Sequence, residues 1–435
     1  MADTNTVVIG AGISGLITAY QLKNAGVETL VLDQNSRVGG RMFTIEWKGF
    51  RLDPGASIIM TSDKFLLDLV RELDLESQIT DVYDSGLEMT IMRDGEMHTV
   101  DFLSVWSYLR WQGVSLGARL SMIKLLPQLL PLLRLKQTYH LEALAGKDSE
   151  SLEEFLYKHA HPEMFEYWAG PMFEVMCAYS GQDLSGMAFL GMTFGSLNAN
   201  TLAFKDGIGV VPEAIAKRLD IELNTRVNRI SPLGDKSGVE IEYFSKQGKK
   251  KKIKAERVVV AIPGSDVLAL FEEPRPAWKA FFPQVRYTKS ATQYSLVEMD
   301  EAVPNRAVYF PRKAKMPVNS VTHFRRSGKK SIFLTDPSIS IYKPTDDEKT
   351  LVKRAEEGIT TVYPHLKGQF LDHHVIKWPH KVPAFYPGYL QHLKEFWENP
   401  QEGPVYFCGD YFASPSTGGA LFTGLEAAER VLDSM

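Results

Sequence analysis

At 435 residues the chain exceeds the size at which a single hydrophobic core stops growing, so two domains are expected. A composition of 44% hydrophobic and 23% charged residues excludes a disordered chain, and a net charge of −4 excludes a domain-scale basic surface for nucleic acid. Two cysteines, Cys177 and Cys408, cannot make a disulfide framework, so a reducing, cytoplasmic location is the expectation.

The first predicted strand, residues 7–9, comes so early that no cleavable signal is expected before it. It runs into Gly10, Ala11, Gly12, Ile13, Ser14 and Gly15, then a helix over 16–24 and a second strand over 29–32 that ends at Asp33, with Gln34 beside it. Gly10 allows the turn out of the strand, Gly12 lets backbone approach a pyrophosphate, and Gly15 lets the helix pack on the sheet. The N-terminal amides of that helix face the anion. Asp33 stands where a carboxylate accepts bonds from both ribose hydroxyls. A glycine turn without ligand would not account for the acid at this distance, so the segment reads as a dinucleotide site.

Arg37, Gly39, Gly40 and Arg41 follow as a glycine pair bracketed by arginines, which places cationic forks and bare backbone against the same phosphates. Gly55, Ala56 and Ser57 are small enough for the chain to lie flat beside a large planar ring, which favours a resident flavin over a diffusible nicotinamide. Residues 61–202 read as a mainly helical insertion, with helical spacing at 65–70 and 152–156. Within it, 116–135 is leucine-rich but contains Arg119, Lys124, Pro127, Pro131 and Arg134. It therefore reads as a buried or half-buried helix pair rather than a bilayer span. With Trp106 and Trp111 it also leaves open a peripheral membrane contact through 103–135. Trp168 and Tyr179, among methionines and phenylalanines, are candidates for the far wall of a substrate cleft.

Strands predicted at 239–244 and 253–262 form a hairpin whose solvated tip holds Gly248 and the lysines 249–252. Its apolar end suits a strand buried on both faces. Residues 266–384 contain runs at 290–297 and 331–334 that suit a sheet. The aromatic and proline segment 378–389 supplies Trp378, Phe385 and Tyr386 as the candidate catalytic wall, with core packing as the alternative for each ring. Another strand, acid, small-residue turn and helix follow, with Gly409 and Asp410, then Gly419, Ala420 and Leu421.

Together these motifs resemble the flavin-dependent amine oxidoreductases, a family that includes monoamine oxidases, protoporphyrinogen oxidases and carotene desaturases. The resemblance rests on GAGISG with Asp33, RVGGR at 37–41, LDPGAS at 52–57, AERVVVAIP at 255–263, and YFCGDY with GGA near the C-terminus. It implies an α/β fold: a Rossmann-like FAD-binding domain split over 1–60, 203–265 and 385–435, with an inserted α+β substrate domain formed by 61–202 and 266–384. It further implies that Asp33 holds the adenosine ribose and that Arg41 with the amides over 12–14 holds the pyrophosphate. Backbone at Val227 would meet adenine, Asp410 the phosphate or ribityl region, and Gly55, Ala56, Gly419, Ala420 and Leu421 the flavin ring. The cysteine motif that tethers flavin in some members is missing, so FAD is expected to be non-covalent. Many amine oxidases carry a lysine where this chain has Thr292, Lys289 falling on the opposite strand face, and a tyrosine where it has Ser416.

No motif for metal or nucleophilic catalysis is present, and His373 and His374 point to opposite faces of a strand. The chemistry then belongs to the cofactor, with the protein holding a C–H bond over flavin N5 and excluding water. The leading expectation is an FAD-dependent oxidase or dehydrogenase that removes two hydrogens from an apolar, nitrogen-containing small molecule such as a cyclic amine or pyrroline. Oxygen or a quinone would accept the electrons. Protoporphyrinogen-type oxidation or carotenoid-like desaturation is the alternative, and a non-catalytic flavoprotein is a third reading.

Overall fold

The computed structural model describes all residues except 1–2, 83–86, 103, 133–134, 136–138, 235–237, 301–302 and 400–402. Two seven-stranded sheets organise the chain. In the first, β1 (Thr4–Ile9) lies parallel to β2 (Thr29–Leu32) on one side and to the strand Lys250–Val260 on the other. Asp220–Glu222 extends the sheet beyond β2, and Val405–Phe407 runs parallel to the apolar end of Lys250–Val260. Val258, Val259 and Val260 have no exposed surface, because neighbouring strands and helices cover both faces. The remaining strands, Arg226–Pro232 and Val239–Phe244, form an antiparallel meander with the polar half of Lys250–Val260.

The lysines expected at the hairpin tip are placed differently. Gly248, at φ 71°, makes the turn, while Lys250 and Lys252 already belong to the strand. Their period-two spacing puts them on the face of Glu242 and Glu240, with ion pairs of 2.7 Å each.

Helix α1 (Ile13–Asn24) is buried along most of its length between this sheet and the helix Thr417–Asp433, which explains why it lacks a polar stripe. Gly424 lets the two helices touch: a Cβ there would collide with Ile17 and with the carbonyl of Ser14. Thr18 Oγ1 donates to the Gly424 carbonyl at 2.8 Å.

The second sheet runs in the order Phe370–Trp378, Ser290–Glu298, Lys330–Pro337, Val318–Ser327, Arg306–Tyr309, Glu88–Arg93, Glu96–Thr99. The last two strands are a hairpin contributed by the otherwise helical segment 61–202. The helix Glu348–Val362 packs Leu351, Ala355 and Ile359 against the sheet. Elsewhere in 61–202 the helix Leu152–His159 starts at a reciprocal capping box between Ser151 and Glu154.

Within 116–132 the expected half-buried helices are present as short pieces rather than as a pair of full-length helices. The α-helices Leu116–Ser121 and Leu126–Leu129 are joined by the 3-10 helix Met122–Leu125, and they stay short because Pro127 begins a new turn and Pro131 cannot extend it. Ala118, Ser121, Leu125 and Leu132 face inward, whereas Leu116, Leu120, Ile123, Leu126 and Leu130 are exposed. Among the described residues, no helix is long and apolar enough to cross a membrane.

Candidate dinucleotide and substrate site

The turn from β1 into α1 is locked from below. A Cβ at Gly10 would strike the Ala261 carbonyl, and one at Gly15 would strike the Gly10 carbonyl. Gly12 differs, since a Cβ there meets no protein atom within 4 Å. Protein packing therefore requires Gly10 and Gly15, while the open space at Gly12, the N-cap of α1, fits the pyrophosphate of a dinucleotide. Ile13 and Ser14 are buried in the first turn of the helix.

Asp33 is buried and already holds protein donors. Ala11 N–H donates to its Oδ2 at 2.6 Å, and the backbone and side-chain amides of Asn35 donate to Oδ1 at 2.7 and 2.8 Å. Oδ2 keeps a lone pair for a ribose hydroxyl, whereas Oδ1 already accepts two bonds. Gln34 is exposed beside it. Thr225 N–H donates to the Asp33 carbonyl at 2.7 Å, which brings the strand carrying Val227 to this end of the site.

Gly39 N–H donates to Ala11 O at 2.7 Å, folding 37–41 over the turn with Gly40 against Gly12. The two arginines then diverge. Arg37 lies over the Phe43 ring at 3.3 Å and donates to Gly40 O at 2.8 Å, so its fork serves its own loop. Arg41 pairs with buried Asp410 through contacts of 2.8 and 2.9 Å and donates to Lys381 O at 3.1 Å. Ala56 N–H donates to Arg41 O at 3.0 Å, which anchors the segment holding Gly55, Ala56 and Ser57. Gly409 N–H donates to Thr423 Oγ1 at 3.0 Å, and Gly419 N–H donates to the capping hydroxyl of Ser416 at 3.0 Å. Ala420 and Leu421 occupy the same first turn. Ser416 is thus a helix cap, bonded also to Ser414 at 2.7 Å.

The substrate-side candidates separate. Trp378 Nε1–H donates to Thr292 Oγ1 at 3.0 Å, and Thr292 donates to Pro54 O at 2.9 Å, one residue before Gly55. Phe43 meets Trp378 edge-on at 6.1 Å. Lys289 is exposed. Phe385 and Tyr386, expected as part of the wall, are placed in packing roles. Phe385 has 0% exposure and meets Tyr389 edge-on, while Tyr386 donates to Gln284 O at 3.0 Å beneath Arg286. The cause is the backbone bond from Ala384 N–H to Arg286 O, which directs this segment into the core. Tyr179 is buried with its hydroxyl on Pro383 O, and Trp168 packs on Tyr108 and Phe189.

Sequence reading missed two constellations. Lys381 sends its ammonium to Asp336 at 3.1 Å and Val175 O at 3.0 Å while its carbonyl receives Arg41, joining the second sheet and the helical segment to the loop that carries Arg41. Asp53 accepts from Thr44 Oγ1 at 2.6 Å and from Ile208 N–H, and burial pushes its carboxyl up to about 6. Neither has a local sequence signal, because the partners meet only through the fold. Burial also raises the Cys177 thiol to about 12 and the Cys408 thiol to about 11. Both cysteines stay protonated and enclosed, which suits a flavin held without a covalent tether.

The profile of the family described as "Flavin containing amine oxidoreductase" matches residues 13–432. The chain belongs to this family. Its cofactor is accordingly FAD, and it is an oxidoreductase. Among curated relatives, amine oxidase [flavin-containing] B of Mus musculus is 37% identical over 75 residues, 17% of this chain and 14% of that protein. Phytoene desaturase (lycopene-forming) of Pantoea ananas is 44% identical over 54 residues, 12% of this chain and 11% of that protein. The chain thus aligns with only a small part of each relative. Among solved structures, cyclohexylamine oxidase from Brevibacterium oxydans superposes with a TM-score of 0.75 at 17% identity over 99% of both chains. A CLA-producing fatty acid isomerase from P. acnes superposes at 0.71 and 16% identity over 98% of both chains. An oxidase and an isomerase share this fold, so the likeness concerns architecture alone.

Proposed function

We propose that this flavoenzyme removes two hydrogens from an apolar, nitrogen-containing small molecule such as a cyclic amine or pyrroline, with oxygen or a quinone as electron acceptor. The observation that supports the reading is the hydrogen-bonded line from Trp378 through Thr292 to the carbonyl of Pro54, which ties the indole to the residue before Gly55. The chemistry FAD supplies when bound is acceptance of a hydride at ring nitrogen N5. The space at Gly12, Asp33 and the Arg41–Asp410 pair would hold its dinucleotide. Trp378 orients the substrate and excludes water, and Thr292, with its hydroxyl proton committed to Pro54, holds the indole. The test is product analysis after aerobic incubation with cyclic amines, pyrrolines and a porphyrinogen. Dehydrogenation of a nitrogen ring compound is expected, and conversion of the porphyrinogen alone would contradict the reading.

A second reading, dehydrogenation of a lipid-dissolved porphyrinogen or polyene, is favoured by one observation. Trp106 (69% exposed), Leu116 (62%), Leu120, Ile123 (62%), Leu126 and Leu130 turn outward. The sequence between Asp101 and Glu142 contains no acid but holds Arg110, Arg119, Lys124, Arg134 and Lys136. An apolar stripe with an interfacial tryptophan and basic flanks complements an anionic bilayer surface. Under this reading the protein floats with anionic vesicles and Leu120→Asp with Ile123→Asp abolishes flotation. Equal flotation of parent and variant would contradict it.

A further inference from the structure

A cavity of about 530 Å³, lined by none of the dinucleotide residues, lies between the hairpin of Ile45–Trp47 and Phe50–Leu52 and the end of Val318–Ser327. Phe50 and Phe324 contribute its apolar surface, and Arg51, Lys205, Arg325 and Arg326 its charge. Among the described residues, the one acid in its wall is Glu46, which faces Arg51 at 3.6 Å; Arg51 also pairs with Asp206. The other three cations have no carboxylate partner among the described residues. Lys205 donates to Ser77 O at 2.7 Å. Arg326 donates to the carbonyls of Gly328 at 2.7 Å and Asp300 at 2.8 Å, and its second terminal nitrogen is buried without a partner. Among the described residues the Arg325 side chain has no hydrogen bond or ion pair, and its Nε is buried.

A partly buried guanidinium without an ion-pair contact or a hydrogen bond at its buried Nε is costly to retain for packing alone. Burial raises the Asp53 carboxyl to about 6, and Arg325 attracts it from beyond ion-pair distance, so Asp53 offsets part of the charge but leaves the guanidinium Nε without a hydrogen-bond partner. Local backbone geometry points the same way. The register of Val318–Ser327 against Lys330–Pro337 shifts between His323 and Arg325, a bulge of the kind that re-aims side chains at functional sites. A volume of this size matches small-molecule sites, and three cations without an ion-pair partner among the described residues, two of them guanidiniums with an unpartnered buried nitrogen, match a ligand carrying at least two negative charges.

We propose that this cavity binds a small multivalent oxyanion, a phosphoryl group or paired carboxylates, with Arg325 as the anchoring fork and Lys205 and Arg326 completing the charge. The site is separate from the dinucleotide turn and does not depend on the substrate reading. Arg51 lies two residues before Asp53, on the strand that leads to Pro54 and Gly55, so occupancy sits next to the segment that would face the flavin ring.

Calorimetric titration of the FAD-loaded protein with inorganic pyrophosphate, and separately with citrate, tests the proposal. Saturable binding of at least one is expected, pyrophosphate alone assigning a phosphoryl ligand and citrate alone a polycarboxylate. Arg325→Gln is expected to weaken it about tenfold or more, and Arg325→Lys, which keeps charge but loses the fork, by less. Lys251→Gln, on the exposed face of the other sheet, leaves it unchanged. Unaltered flavin absorbance in every variant shows that the fold is intact. Absence of binding by both anions, or equal affinity in the parent and Arg325→Gln, would overturn the proposal.

Discussion

Gly12 decides cofactor retention at the scale of single residues, because it is the position in the first turn where protein leaves room. Gly12→Val is predicted to abolish FAD retention without unfolding the chain, checked by flavin absorbance and circular dichroism on the same sample. Asp33→Ala removes the ribose acceptor and also orphans the Ala11 amide, so weaker FAD binding and a loss of about 1–3 kcal/mol of stability are expected. Trp378→Phe keeps an aromatic face but loses the bond to Thr292. Flavin content should stay constant while turnover falls about tenfold through lost orientation, measured as kcat at equal flavin loading. The glycines and Asp33 were legible in the sequence because their geometry is set by neighbours a few residues away. Lys381 was not, since its partners Asp336, Val175 and Arg41 come from three distant segments. Phe385 reads as a wall by composition but is turned inward by one backbone bond from Ala384.

Helix Thr417–Asp433 depends as an element on its N-cap and on the close approach at Gly424. Ser416→Ala should cost about 1 kcal/mol, read from thermal unfolding. Gly424→Val drives a side chain into Ile17 and the Ser14 carbonyl, so a larger loss of about 1–3 kcal/mol is expected, together with weaker FAD retention as α1 is displaced. Regular elements with a local pattern, such as β1, α1, β2 and Ser290–Glu298, followed from the sequence. The covered faces of the short helices over 116–130 did not, because helical spacing of leucines does not say which face is covered. Nor did the hairpin of Glu88–Arg93 and Glu96–Thr99, whose place is fixed by parallel pairing with the remote strand Arg306–Tyr309.

Buried carboxylates set the pH dependence of the whole molecule. Burial raises Glu174 to about 7 despite Arg312 at 3.1 Å. The fold therefore binds a proton that the unfolded chain releases near its ordinary value, and this stability is present at low pH and lost as pH rises from the usual glutamate range through about 7. Glu174→Gln should gain on the parent by about 2 kcal/mol more at pH 8 than at pH 5, read from unfolding midpoints. The cofactor side of the molecule rests on the open space at Gly12 and on Arg41, which pairs with Asp410 and donates to the Lys381 carbonyl. The most direct test is the visible spectrum of the purified, FAD-supplied protein, taken before and after denaturation and filtration. Flavin bands that stay with the native protein and pass entirely into the filtrate on denaturation are predicted. A native protein that takes up no FAD, or flavin that remains with the denatured chain, would contradict a dinucleotide held by Gly12, Asp33 and the Arg41–Asp410 pair.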